Sequence, residues 1–393
     1  MMRRLWMAAL AMTVLCTACG PAPAAPVDGT VASFDAPTSS TSSVPTTTTP
    51  TRVTVDGITY VGDAEAGLTA TDFELPLRGA TGFISVETAF YSDPDRTAQM
   101  ATLAPGTAFT VLLQTAPDTW QVRTQYGTTG YVENTCCYLN IADVIPSVVL
   151  DNTNSDSSVF LSSGKEIPSI TGRQLYNAKA YNPRLGREEF MVACNWNMVR
   201  KIYAAQQMAM EAGYTLVINE AFRPHDVQMQ VAAALKELYD TDPEVKAGID
   251  TAPWNISWFI ASRPSTHQRG CAIDTSLAKV TEVTYRMCGD YRYRVVTGYT
   301  PCVMPTPIHE LSAAAVSLLK PVNSYHPTAW QDIAPAASMT EDALKLKAFC
   351  TGAGLSPLAS EWWHFNDLET KELVGERFTT DPFYLDTCVS EIP

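Results

Sequence analysis

The chain has 393 residues, 46% of them hydrophobic and 17% charged, with 27 Lys and Arg against 41 Asp and Glu. That length exceeds one ordinary core and is enough for two domains with linkers. A formal charge of -14, with no run of five basic residues, argues against nucleic acid as a partner, and the composition excludes collagen-like, coiled-coil and multi-span membrane chains.

At the start, Arg3 and Arg4 precede an apolar stretch from Leu5 to Val14 and then Thr17-Ala18-Cys19-Gly20. A charged start, a short apolar middle and small residues at the cut form a secretory signal over residues 1–18. The apolar stretch is too short to span a bilayer comfortably. A cysteine after Thr17-Ala18 resembles the bacterial lipoprotein cleavage box, although Cys16 stands where that box usually has Leu. The resemblance implies that Cys19 is the acylated first residue of an exported, membrane-anchored chain. Losing Arg3 and Arg4 with the signal takes the charge from -14 to -16. Besides Cys19, Cys136, Cys137, Cys194, Cys271, Cys288, Cys302, Cys350 and Cys388 remain, an even number that favours disulfides in an exported protein.

Residues 19–75 read as a tether and lead-in. Between Pro37 and Thr51, eleven of fifteen residues are Ser or Thr and three are Pro, so the segment has almost nothing to bury and stays extended. From 76 to 147 short apolar alternations punctuated by turns predict strands, in GFISVETAFYS, AQMATLAPGTAFTVLLQTA and DTWQVRTQYGTTGYVENTC. Leu103–Gly106, Trp120, Val122, Gly127, Gly130, Tyr131 and Val132 make this region resemble a bacterial SH3 domain, a small all-β barrel. That resemblance implies a cell-wall partner, although all of these residues suit a barrel core equally well.

Residues 148–393 mix the two periods, which predicts an α+β domain. Helices are expected over 197–214, 225–240, 311–320 and 340–354, and TLVIN at 215–219 reads as a buried strand. Of five histidines, two sit in dense polar and small surroundings: Ser265-Thr266-His267-Gln268-Arg269-Gly270-Cys271-Ala272-Ile273-Asp274 and Glu361-Trp362-Trp363-His364. Two imidazoles and one carboxylate make a good catalytic zinc site, because three protein ligands leave the fourth tetrahedral place to water. A further carboxylate beside a ligand histidine can take that water's proton.

Ser-x-His-x-x-Gly-x-Ala-x-Asp followed by Glu-x-Trp-His resembles the signature of the M15 zinc peptidases, a family with a hedgehog-like α+β fold. Glu-Trp-Trp-His and Glu220-Ala221-Phe222-Arg223-Pro224 bring the likeness nearest to the VanX-type D-alanyl-D-alanine dipeptidases. The resemblance implies one zinc ion on His267, Asp274 and His364, Glu361 as general base, and Arg223 stabilising the oxyanion. It places Ser265 near the substrate, although a turn-capping hydroxyl explains Ser265 equally well. The dipeptidases read a free amino end with an aspartate. Here His309 holds that place, with Glu310 beside it as the candidate anionic contact. The expected substrate is D-alanyl-D-alanine or a related peptidoglycan peptide. The alternatives are a D,D-carboxypeptidase for longer stem peptides and a non-catalytic wall-binding lipoprotein.

Overall fold

The computed structural model describes residues 50–393, which form one compact unit. The signal sequence, Cys19 and most of the tether lie outside the described residues. The fold is mixed α+β, with two eight-stranded sheets and five helices among the described residues. No helix among these residues is long and apolar enough to cross a membrane.

The first sheet is antiparallel throughout and contains the strands expected between 79 and 148. Its spatial order is Ala193–Asn195, Cys137–Asn140, Thr81–Ile84, Ala108–Ala116, Thr119–Thr124, Thr129–Glu133, Thr88–Tyr91 and Gln99–Leu103. Glycine is required where these strands pack closest: a Cβ on Gly130 would lie 2.6 Å from the Phe90 ring and from a backbone oxygen. The edge strand Ala193–Asn195 comes from the later part of the chain and runs straight into the helix Trp196–Glu211. The two parts are therefore joined by a sheet ladder. They also share one apolar core, in which Trp120 meets Trp196 edge-on with ring centroids 5.7 Å apart.

The second sheet is built around the strand Ala272–Cys288. Its first residues pair with Tyr214–Glu220 on one side and Glu361–Asn366 on the other. Further along it pairs with Tyr291–Pro301 and, in parallel, with Ile58–Val61. That last strand belongs to a hairpin, Arg52–Val55 and Ile58–Val61, inside the stretch assigned above to the tether. Asp56 and Gly57 both have positive φ, +50° and +81°, as a two-residue hairpin turn between β-branched alternations requires.

Helices form at Trp196–Glu211, His225–Thr241 and Glu341–Gly352, as the periodicity predicts. Two short ones, Pro243–Ile249 and Leu368–Val374, start at the aspartate caps Asp242 and Asp367. The expected helix over 311–320 is absent. Only Ala313–Ala315 turns, because the amides of Ser317 and Leu318 donate to the carbonyl of Ala359 instead of to a helical ladder. Tertiary contacts here override the propensity of three alanines. The expected disulfides are not formed either. All eight cysteines from Cys136 to Cys388 are free thiols, six of them buried.

Truncating Trp120 to Ala should destabilise the protein by about 3–5 kcal/mol. Because the core is shared, near-UV and far-UV circular dichroism of residues 50–393 should report one coincident unfolding transition in the variant, as in the parent.

Candidate metal centre

Asp274 sits on the central strand of the second sheet with a site residue directly opposite on each neighbouring strand. Glu220 pairs with it on one side and His364 on the other. The side chains of Glu220, Asp274 and His364 are buried. His267 comes from the turn that leads into the same strand, and Glu361 begins the strand that carries His364. Register slips between Pro357 and Leu358, so Glu361 is free of strict alternation and faces the same cavity as His364.

His267, Asp274 and His364 each offer one ligand atom, and these atoms lie within 4.8 Å of one another. Their protonation is set by outer partners. The Nδ1–H of His267 donates to the carbonyl of Ala221 at 2.6 Å, which leaves the lone pair on Nε2. The Nε2–H of His364 donates to Asn366 Oδ1 at 3.0 Å, which leaves the lone pair on Nδ1. These two nitrogens are 3.1 Å apart, and Asp274 Oδ1 lies 3.0 Å from the second and 3.4 Å from the first. Three potential ligand atoms thus converge on one point. Neighbouring ligands of a tetrahedral ion at about 2.0–2.1 Å are spaced in this way, so the donor set fits a metal ion.

Burial opposes ionisation of Asp274, yet the three histidines around it outweigh burial and hold its carboxyl well below the usual range. Burial lowers His267. For His364 burial acts in the same direction but Asp274 outweighs it, so the ring is held above its ordinary value. Glu361 behaves differently. Burial pushes its carboxyl up to about 7, outweighing the nearby His364 and Arg223, which act to lower it. Its Oε2 lies 3.8 Å from His364 Nδ1 and its side chain is 12% exposed, beside the three converging acceptors. Such a position and proton affinity would suit a general base.

Arg223 is buried and fully engaged around the carboxylates. Its Nε donates to Glu220 Oε2 at 2.6 Å, Nη1 to Gln228 Oε1 at 2.8 Å, and Nη2 to Asp274 Oδ2 at 2.8 Å as well as to Glu220. One Nη1 hydrogen is left over from these contacts. Its guanidinium stacks over the ring of Phe160, 5.4 Å from the centroid. Burial works against its charge, but Glu220 and Asp274 outweigh burial and keep it protonated. Glu220, Asp274 and His309 also lie within ligand distance of one another. The Arg223 guanidinium already bridges both of those carboxylates, so a second cation there would face a fixed positive charge.

Ser265 lines the cavity, but its hydroxyl caps its own turn. It donates to Gln268 Oε1 at 2.9 Å and accepts from the His267 amide at 3.2 Å. Glu310 does not reach the cavity. Its carboxylate accepts from the amides of Ser163 and Gly164 at 2.5 and 3.0 Å, which fixes the turn of a two-stranded hairpin. The residue that does face inward is His309, in left-handed backbone at φ +63°. Its Nε2 is 3.2 Å from Asp274 Oδ2 and its ring stacks on Phe160 at 4.4 Å.

Glu220, Gln228, Gln268 and Asn366 were not singled out as site residues by sequence spacing. Asn366 had a usable signal, two residues beyond His364 on an alternating strand. The others are set by strand and turn pairing. The cavity in front of the site is about 550 Å³, with Phe160, Phe259, Leu311 and Leu358 as apolar walls. No protein-family model matches the chain, and comparison with curated proteins finds no match.

The raised Glu361 carboxyl has a defined sign in stability. Between pH 4.5 and about 7 the folded metal-free chain holds a proton that the unfolded chain has lost, so raising the pH through this window destabilises it. Glu361→Gln removes the effect. Urea unfolding of chelator-treated protein should show the variant gaining on the parent with rising pH, by roughly 3 kcal/mol between pH 4.5 and 8.

Proposed function

We propose that the chain is an exported zinc peptidase that hydrolyses D-alanine-containing peptides of the bacterial cell wall. The observation that carries this reading is the convergence of three ligand atoms, from His267, Asp274 and His364, beside a carboxyl held at about 7. The M15-like motifs supply the substrate class. A bound zinc ion would acidify a water and polarise the scissile carbonyl.

The chain's own groups do the rest. Glu361 accepts the proton of the attacking water and returns it to the nitrogen of the leaving amine. Arg223 fixes Asp274 through Oδ2, and its remaining Nη1 hydrogen is available to the charge that develops on the carbonyl oxygen. The apolar walls suit a methyl side chain. The first sheet, with its SH3-like residues, is the candidate contact with the wall, and Cys19, outside the described residues, is the candidate lipid anchor.

Within this reading a longer stem peptide fits better than the free dipeptide. Asp274 and Glu361 are the only acids among the described residues lining the cavity, and both serve the metal chemistry. With Glu310 turned to the Ser163 amide, no carboxylate remains for a dipeptide's ammonium group. Arg263, by contrast, is an exposed cation at the cavity with no acidic partner among the described residues, and it suits a terminal carboxylate. The non-catalytic reading is disfavoured by the presence of Glu361 in working position.

Purified protein should release D-alanine from a wall pentapeptide, lose the activity to a chelator and regain it with zinc. Glu361→Gln should lower kcat by at least about a hundredfold while leaving zinc binding intact. No zinc-dependent release from either the pentapeptide or D-alanyl-D-alanine overturns the proposal. Arg263→Ala should raise KM for the pentapeptide but not for its C-terminal amide.

A further inference from the structure

We infer that the first sheet is a working part of the metal centre and that Tyr138 is the positioning residue through which it acts. The inference rests on the reading that His267, Asp274 and His364 hold a metal. Tyr138 lies on the strand Cys137–Asn140, is 1% exposed, and donates its hydroxyl to the backbone carbonyl of Gln268 at 2.8 Å. Gln268 follows the metal-site residue His267 directly.

The same side chain closes on the turn from a second direction. The Tyr138 ring packs over Gly270, at φ +64°, so closely that a Cβ there would lie 2.4 Å from a ring carbon. Tyr138 is paired across the sheet with Asn195, whose amide donates to the carbonyl of Gly270 at 2.8 Å. The turn is therefore held at its second and fourth residues by one cross-strand pair of the first sheet.

Gln268 passes the restraint on. Its Oε1 accepts from the amide and hydroxyl of Ser265, and its Nε2 donates to the carbonyl of Arg223 at 2.9 Å. The Tyr138 ring also leans on Phe222, with centroids 5.4 Å apart, immediately before Arg223. One buried tyrosine thus braces both turns of the site, the one bearing His267 and the one bearing Arg223. The His267 ring is in turn aimed by the carbonyl of Ala221 in that second turn. Outer partners of this kind typically affect metal affinity tenfold or more, because a ligand misplaced by a fraction of an ångström forfeits bond strength.

The test uses the full chain and Tyr138→Phe, which removes the hydroxyl and keeps the ring. Zinc affinity by chelator competition should weaken about tenfold, and the visible absorption of the cobalt-substituted protein should shift. On the pentapeptide, kcat should fall with KM little changed. Tyr131→Phe is the control, because its hydroxyl accepts from Gln121 on the same sheet; it should leave zinc affinity unchanged. Wild-type zinc affinity and an unaltered cobalt spectrum in Tyr138→Phe overturn the inference. If that variant does not fold, Gln268→Ala keeps the carbonyl that Tyr138 bonds but removes the side chain that carries the restraint on to Ser265 and Arg223, and unchanged zinc affinity there overturns the inference. A parent protein that binds no zinc would instead defeat the metal reading itself.

Discussion

Everything at the site depends on how the carboxylate of Asp274 is divided. It is a buried anion, and burial alone would drive it to the neutral acid. Oδ2 is held by the Arg223 guanidinium and faces His309, while Oδ1 faces His267 Nε2 and His364 Nδ1. The first oxygen satisfies the charge inside the protein. The second is left for a cation. Glu220, Asp274 and Arg223 together carry one net negative charge, which would favour a cation beside the histidines.

That division requires a rigid surround, since a buried charge set is stabilising only when every partner stays in place. Glu220 accepts from Tyr176 at 2.7 Å and Asn154 at 2.9 Å in addition to Arg223. Burial opposes its ionisation, but Arg223, His309 and His267 outweigh that and hold its carboxyl below the usual value. Phe160 lies under both Arg223 and His309 and restricts where either can move. The first sheet supplies the outermost brace. Its fusion to the second part of the chain, through the Cys137–Asn140 ladder and the Trp120–Trp196 contact, brings Tyr138 into contact with the turn that bears His267.

The elements most legible in the sequence were those with a local cause. Strand alternation around Trp120, the helix starting at His225 and the buried TLVIN strand all follow from periodicity. The Asp56-Gly57 hairpin had an equally local signal but was masked by the Ser/Thr-rich stretch before it. Over 311–320 the alanines favoured a helix, and the chain instead spends those amides on Ala359. At the site, residue types that bind metals were visible as two clusters. Glu310 looked equally suitable as an anion, yet two turn amides consume its carboxylate.

By itself the sequence determined the donor chemistry: two imidazoles, one aspartate and one further carboxylate in two short motifs, with an acidic chain around them. Only the tertiary structure decided which oxygen of Asp274 is free, which nitrogen of each histidine carries the lone pair, and that His309 rather than Glu310 faces the cavity. It also decided that the first sheet reaches the metal turn through Tyr138. The reason is physical. Residue type fixes what a group can donate or accept, whereas the partners that orient His267 and Asp274 stand 46 and 51 residues away in sequence and are brought within about 3 Å only by the fold.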